Sequence, residues 1–455
     1  MTKIDRRDFI KIVGGTAATI TLASCASGSK KDQPKGDVPK GKMEYRTGPK
    51  GEKISLLGYG CMRFPRLKNP VKGENVCDQE AVNELVDYAL EHGINYFDTA
   101  PGYIQGWSER TTGAALSRHP RESYYLATKM SNQNPKAWSY EESVKIYKRS
   151  LESLRTDYID FMLLHSIGDA EREQRRFFDN GILNFLMEER EAGRIRNLGF
   201  SFHGDQEVFD NFLSMHDEVH WDFVMIQCNY LDWRYANQIN KKNVNAEYLY
   251  SELHRRNIPV IIMEPLLGGR LASVPEYIAQ KFKSFEPNKS IASWAFRYSG
   301  SLPDVITILS GMTYLEDLQD NIRTFSPLVP INDKEAEMLD ESAKLIMEYN
   351  AIPCNDCKYC MPCPYGVDIP AILLHYNKCI FEDKIIEDSS DPEYIRARRE
   401  FLIGYDRSAP KLRQAQHCTG CGVCSPKCPQ RIDIVEELHK IDAYAKRLRE
   451  EGNGL

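Results

Sequence analysis

GINYFDTAPGY, residues 93–103, is the stretch whose reading decides the fold. Gly93 ends a helix, NYFDTA (95–100) reads as a short apolar strand, and Asp98 and Tyr103 stand at its exit. Working back, residues 78–92 place Val82, Leu85, Val86 and Ala89 on one helical stripe, and SLLGYGCM (55–62) before them reads as a strand. Working forward, SYYLATKM (123–130) is a strand, and Val144, Tyr147, Leu151 and Leu154 recur at three- and four-residue steps, predicting a helix over 140–154. YIDFMLLH (158–165), IRNLGFSF (195–202), DFVMIQC (222–228), IPVIIME (258–264) and DVITILS (304–310) continue the alternation with helical text between them. Apolar runs with little in–out alternation suit a parallel sheet covered on both faces. Eight such units predict an α/β chain with a closed (β/α)8 TIM barrel. An open doubly wound sheet is the alternative, and the glycine fingerprint it would carry after its first strand is missing.

Asp98, Tyr103, Lys129 and His165 each fall at or just past the C-terminal end of a strand, the rim that carries chemistry in a parallel barrel. Reducing a carbonyl takes a hydride equivalent at carbon and a proton at oxygen. A phenol is a poor acid at neutral pH, and a nearby ammonium lowers its pKa. Lys129 is expected to do this to Tyr103, Asp98 to hold Lys129 in place, and His165 to orient the substrate oxygen. The segments GINYFDTAPGY, ATKM and LLHS resemble the catalytic tetrad segments of the aldo-keto reductases. YRTGPKGEKISLLGYGCM (45–62) resembles that family's opening hairpin and first strand.

The resemblance implies a nicotinamide dinucleotide lying extended across the barrel mouth. Ser201, in GFSFHG, falls where the family holds the carboxamide, and Phe202 where many members have asparagine. Met225 replaces a carboxamide-binding glutamine, and Gln227, two residues on and facing the same side, is expected to substitute. Met263 falls where an aromatic often stacks on the nicotinamide. MEPLLGGRL (263–271) resembles a loop that closes over the pyrophosphate, with Gly268 and Gly269 permitting close approach. In SGMTYLEDLQDN (310–321) the family's cations for the 2′-phosphate are replaced by Gly311 and Asp317, while Asn321 is retained at the adenine position. An aspartate repels a 2′-phosphate, so NADH is expected over NADPH as the NAD(P)H form. A barrel that has lost its nucleotide is the alternative.

Thirteen cysteines in 455 residues is the unusual total. Cys25, Cys61, Cys77, Cys228 and Cys379 are scattered, the last four reading as packing thiols. The other eight form two runs. Cys418, Cys421, Cys424 and Cys428 have gaps of two, two and three before Pro429, the ferredoxin spacing for a [4Fe–4S] cluster. Cys354, Cys357, Cys360 and Cys363 precede Pro364, with the last gap one residue shorter. Soft thiolates suit iron, and zinc sites more often split their pairs by a dozen residues. Two [4Fe–4S] clusters are expected, with the fourth cysteine of each run serving the other cluster as in two-cluster ferredoxins. Helical text between the runs (IPAILLHYNKCI, DPEYIRARREFLIGY) predicts a mostly helical two-cluster ferredoxin-like domain.

MTKIDRRDFIKIVGGTAATITLASC opens the chain. Arg6 and Arg7 precede a mild apolar stretch that is short for a membrane span, resembling a twin-arginine export signal. Leu22-Ala23-Ser24-Cys25 resembles a lipoprotein box. Export by a route that carries folded cargo agrees with clusters inserted beforehand. The chain is therefore divided as 1–25 signal, 26–42 flexible tether, 43–330 barrel and 331–455 iron–sulfur domain. It is expected to be periplasmic or on the cell surface, with membrane contact only through a lipid on Cys25. A net charge of −6 with no long basic run argues against nucleic acid. The expected activity is carbonyl reduction or alcohol oxidation on a small molecule, with electrons passed through the clusters to a redox partner protein. The alternative is an electron carrier whose barrel is a non-catalytic scaffold.

Overall fold

The computed structural model describes residues 38–67, 76–240 and 243–452. The export signal, Cys25 and most of the tether lie outside them. A hairpin, β1 (Tyr45–Thr47) and β2 (Lys53–Ser55), pairs antiparallel ahead of the barrel. Eight parallel strands follow: β3 (Leu57–Gly60), β4 (Tyr96–Asp98), β5 (Tyr125–Met130), β6 (Ile159–Ile167), β7 (Ile195–Phe202), β8 (Phe223–Gln227), β9 (Val260–Met263) and β10 (Val305–Ser310). They run in chain order, and β10 returns to pair with β3, Ile308 opposite Leu57, closing the barrel. Every strand expected from the sequence is present.

Alternate residues of the strands fill the barrel. Tyr96, Phe161, Leu163, Phe223, Met225, Ile261 and Ile306 form the interior cluster, and Ile54 of the hairpin joins it. The rings interlock edge to face, Tyr96 on Phe161 at 5.1 Å and Phe161 on Phe223 at 5.1 Å. Truncating a ring such as Phe161 to alanine would cost about 3–5 kcal/mol. The opposite faces of the strands bury Leu57, Phe97, Leu126, Leu198, Val224 and Ile262 under the helices, which is why these strands lack polar alternation. At the rim, β6 advances from Leu164 to Ile167 while β7 advances only from Phe200 to Phe202. The extra residue is a bulge beside His165, with Ser166 at a φ of 59°.

The barrel's packing continues past residue 330. The helix Asp333–Met347 starts in a capping box of Asn332 and Glu335 and buries Met338, Leu339, Ala343 and Ile346 against Leu271, Phe282 and Trp294. Arg297 grips Glu335 with contacts of 2.9 and 2.7 Å. Beyond it, the helices Ile369–Phe381, Tyr394–Ser408 and Ile434–Gly452 surround a second core that includes Leu373, Phe401, Tyr405, Leu438, Ile441 and Leu448. Both cysteine runs pack against that core. Among the described residues no helix is long and apolar enough to cross a membrane.

Candidate active site

Asp98 closes β4 and Lys129 lies on β5, one strand over, so both side chains enter the same corner of the mouth. Lys129 Nζ donates to Asp98 Oδ1 at 2.6 Å and to the Thr99 carbonyl at 2.8 Å, and both side chains are buried. Burial raises the Asp98 carboxyl and the Lys129 contact offsets part of that. Tyr103 lies just past β4. Its ring centre is 4.9 Å from Lys129 Nζ, a cation–π distance, and its edge meets His165 with centroids 5.9 Å apart. His165 Nδ1 is 2.5 Å from Ser131 Oγ. Burial, then the positive charges of Lys129 and Arg176, hold the imidazole well below its ordinary range, so it is neutral. A neutral imidazole keeps one ring N–H, and the Ser131 contact at Nδ1 orients the ring with Nε2 as its other nitrogen. Arg176, buried and paired with Glu173 at 2.6 Å, donates to the His165 carbonyl at 2.9 Å and fixes the bulged strand end.

The four expected residues therefore meet. One expectation about them fails. Lys129 does not draw the Tyr103 phenol down; burial, followed by Tyr359 and the negative charges of Asp98 and Glu264, holds it well above the usual range. Two of the three Lys129 protons go to Asp98 and Thr99, and its charge stands 4.9 Å from the centre of the Tyr103 ring.

Tyr359 was not foreseen as a site residue. It lies between Cys357 and Cys360, and its hydroxyl comes close enough to that of Tyr103 for the two phenols to act on each other. The sequence signal was faint: one aromatic in a CxxC spacer. More of the cysteine region reaches the mouth. Arg63, just past β3, donates to the Asn355 carbonyl at 2.6 Å and to Asp356 Oδ2 at 3.1 Å. Gln430 Nε2 donates to Gln227 Oε1 at 3.2 Å, and Arg431 to the Gly168 carbonyl at 3.1 Å. Glu264, at the end of β9, lies close enough to Tyr103 and Tyr359 to act on both, and burial pushes its carboxyl up to about 7.

The residues expected to hold a dinucleotide are already engaged. Ser201 Oγ accepts from Ser166 N at 2.8 Å, and Asn321 Nδ2 donates to Ser310 Oγ at 2.9 Å. Gln227 donates to Asp232 at 2.7 Å while receiving Gln430. Gly268 has a φ of 66°, and a Cβ there would stand 2.1 Å from the Asn355 carbonyl oxygen. Its missing side chain admits the cysteine region's backbone. Gly269 has open space beside it. Gly311 is overlaid by the Arg63 side chain, with Cδ 2.8 Å from where its Cβ would be. With the cysteine region seated this way, the residues present do not fit a dinucleotide extended across the mouth.

All twelve described cysteines are free thiols, and Cys61, Cys77, Cys228 and Cys379 are buried as expected. Cys428 is within electrostatic reach of Cys354, Cys357 and Cys360, and Cys424 is within reach of Cys418 and Cys421. Among the described residues no three His, Cys, Asp or Glu side chains converge tightly enough for a single metal ion. The thiol donor set fits a larger multi-metal core held by several cysteines. Asp356 and Lys358 in the first run, and Gly420 and Gly422 in the second, all have positive φ. Positive φ at alternate positions is a backbone form from which anion-binding nests are built. Arg270 lies near Cys354, and its buried Nε has no hydrogen-bond partner. Burial pushes the Cys354 thiol up to about 11 and Cys360 to about 12, so these become thiolates when a cation binds them.

A (β/α)8 barrel with an aspartate–tyrosine–lysine–histidine tetrad at its C-terminal mouth defines a class of carbonyl-handling oxidoreductases. The Aldo/keto reductase family model matches residues 56–344, and the chain belongs to that family and is an oxidoreductase. The Uncharacterized oxidoreductase YqkF of Bacillus subtilis (strain 168) is 27% identical over 301 residues, covering 59% of this chain and 87% of that protein. L-galactose dehydrogenase of Arabidopsis thaliana is 26% identical over 304 residues, covering 63% and 89%. The solved aldo-keto reductase AKR11C1 from Bacillus halodurans (holo form) shares the fold with a TM-score of 0.52 and 23% identity, covering 66% of this chain and 96% of that one. The family match ends at 344, before the first cysteine run.

Proposed function

We propose that this chain is an iron–sulfur oxidoreductase of the aldo-keto reductase type that interconverts a small carbonyl compound and its alcohol. On this reading it is exported by the twin-arginine route and anchored by a lipid on Cys25. The observation that carries the proposal is the seating of the cysteine region on the tetrad's rim, with Arg63 bonded to Asn355 and Asp356, Gln430 bonded to Gln227, and Tyr359 brought close to Tyr103.

Carbonyl reduction adds two electrons and two protons. Tyr103 gives the proton at oxygen, neutral His165 holds that oxygen by a hydrogen bond, and the Lys129–Asp98 pair fixes the phenol ring through its face. Glu264, protonated up to about pH 7, is an acid beside the tetrad for the second proton. Oxidation of the alcohol runs through the same groups in reverse. Cys354, Cys357, Cys360 and Cys428 are assigned to one [4Fe–4S] cluster, and Cys418, Cys421, Cys424 and Cys363 to the other. When bound, such clusters store and pass single electrons, two between them, to or from a one-electron redox protein. The ferredoxin spacing of the second run, the positive-φ residues shared by both runs and the buried Arg270 Nε without a hydrogen-bond partner support this assignment.

Anaerobic reconstitution tests it. Iron and acid-labile sulfide are expected at about eight each per chain, the content of two such clusters. Turnover of a carbonyl with a viologen donor is expected to fall about 10²–10⁴-fold in Tyr103→Phe, with iron unchanged. Stoichiometric zinc without sulfide would end the iron–sulfur reading. Cluster uptake with Tyr103→Phe indistinguishable from the parent would identify the electron carrier with a scaffold barrel instead.

A further inference from the structure

We infer that the cysteine region occupies the dinucleotide's place on this barrel, so that Tyr359 and Gln430 act as its resident substitutes and the site works without NAD(P)H. Four contacts across the mouth carry this, each at a different strand end. At the exit of β4, Tyr359 comes up beside the hydroxyl of Tyr103. At the end of β8, Gln430 takes the free face of Gln227, whose amide is already given to Asp232. Past β9, the Asn355 carbonyl is pressed into the space left by Gly268. Past β3, Arg63 covers Gly311 and delivers its charge to Asn355 and Asp356 instead of to a phosphate. Side chains that a nucleotide would have to recruit, Ser201 and Asn321, are bonded within the barrel.

These are not loose contacts. Asp356 is half-buried against Arg63, and Asn355 is buried. A mobile lid would be expected to meet the rim through exposed tips. Here the loop between two cysteines is wedged into it by backbone as well as side chain. Tyr359 thus acts as a positioning residue: it closes the space beside the Tyr103 hydroxyl until a substrate oxygen takes it. The inference rests on contacts at the mouth and stands whatever the cysteines bind.

The test uses the full chain with its reconstituted metal content. Titrations with NADH, NADPH and reduced nicotinamide mononucleotide are followed by nicotinamide fluorescence and calorimetry. The expected result is no saturable binding at millimolar concentrations. Saturable binding of either dinucleotide at micromolar concentrations, with metal content intact, overturns the inference. A Tyr359→Ala/Gln430→Ala double variant is expected to gain affinity for the mononucleotide by about tenfold or more, while the Asn355 backbone still excludes the dinucleotides. Tyr359→Phe keeps the ring and is expected to remain closed. No gain in a double variant that keeps its metal content removes Tyr359 and Gln430 from this role. Missing iron with nucleotide still excluded ends the functional reading above and leaves this one standing.

Discussion

In the first cysteine run the residues two and four places after the leading cysteine are Asp356 and Lys358; in the second they are Gly420 and Gly422. The φ angles are 54° and 64° in one and 72° and 71° in the other. The backbone shape is shared, and its cost is not. A side chain in the left-handed region costs on the order of 1–3 kcal/mol, which glycine avoids. The first run bears that strain because it needs its side chains: Asp356 pairs with Arg63, and Tyr359 reaches Tyr103. The second run makes no such demand. Cys421 is exposed, and Val423, standing where Tyr359 stands in the first run, is exposed too. The first run is fastened to the mouth by its own loop; in the second the loop around Cys421 faces solvent, and contact with the barrel comes only after Cys428, through Gln430 and Arg431.

The largest effect expected along this contrast comes from the crossing ligands. Cys428→Ser should remove about half the iron, and the cluster that survives should be the exposed one, bleached quickly by a bulky oxidant. Cys363→Ser should leave the buried one, bleached slowly. The reverse pattern would show that each run keeps its own fourth cysteine. Next is Arg63→Ala, which strips two charge-assisted hydrogen bonds from the first run and should cost about 2 kcal/mol in denaturant unfolding. Arg449→Ala, on the more exposed Asp406 pair, should stay within about 1 kcal/mol. Equal losses would remove the distinction between fastened and free.

A pH test sharpens the same point. Glu264 titrates at about 7 when folded against an ordinary 4.5, so it adds stability fully below 4.5 and loses that contribution as pH rises through 7. Glu264→Gln should therefore match the parent near pH 4 and exceed it by about 1–2 kcal/mol at pH 8, measured by chemical unfolding at both values. The smallest pair of effects has opposite signs. Gly420→Ala should destabilise by about 1 kcal/mol, and Lys358→Gly should stabilise by about 0.5–1 kcal/mol, both read as shifts in thermal midpoint.

The barrel was legible because each strand is an apolar run buried on both faces, so its pattern needs no knowledge of its neighbours. The tetrad was legible because strand ends in a parallel barrel all open on one mouth. What covers that mouth was not. Contacts such as Gln430 on Gln227 join residues 203 apart and leave no periodic trace. The left-handed backbone at Asp356 and Lys358 was hidden because neither is glycine. Gly268 was read as room for a pyrophosphate, whereas the room is taken by Asn355; the need for a bare backbone was visible, and its occupant was not. The phenol's expected fall failed for a similar reason, since burial under the cysteine region outweighs the ammonium beside the ring.

The strained pair at 356 and 358 has a consequence for engineering. The two loops have the same trace, so exchanging CNDCKYC for CTGCGVC looks like a neutral graft. It would relax the chain and keep every cysteine, yet it would cut the anchor to Arg63 and withdraw the only phenol that reaches across from that loop. Such a chimera would keep both halves folded and lose the wiring between them.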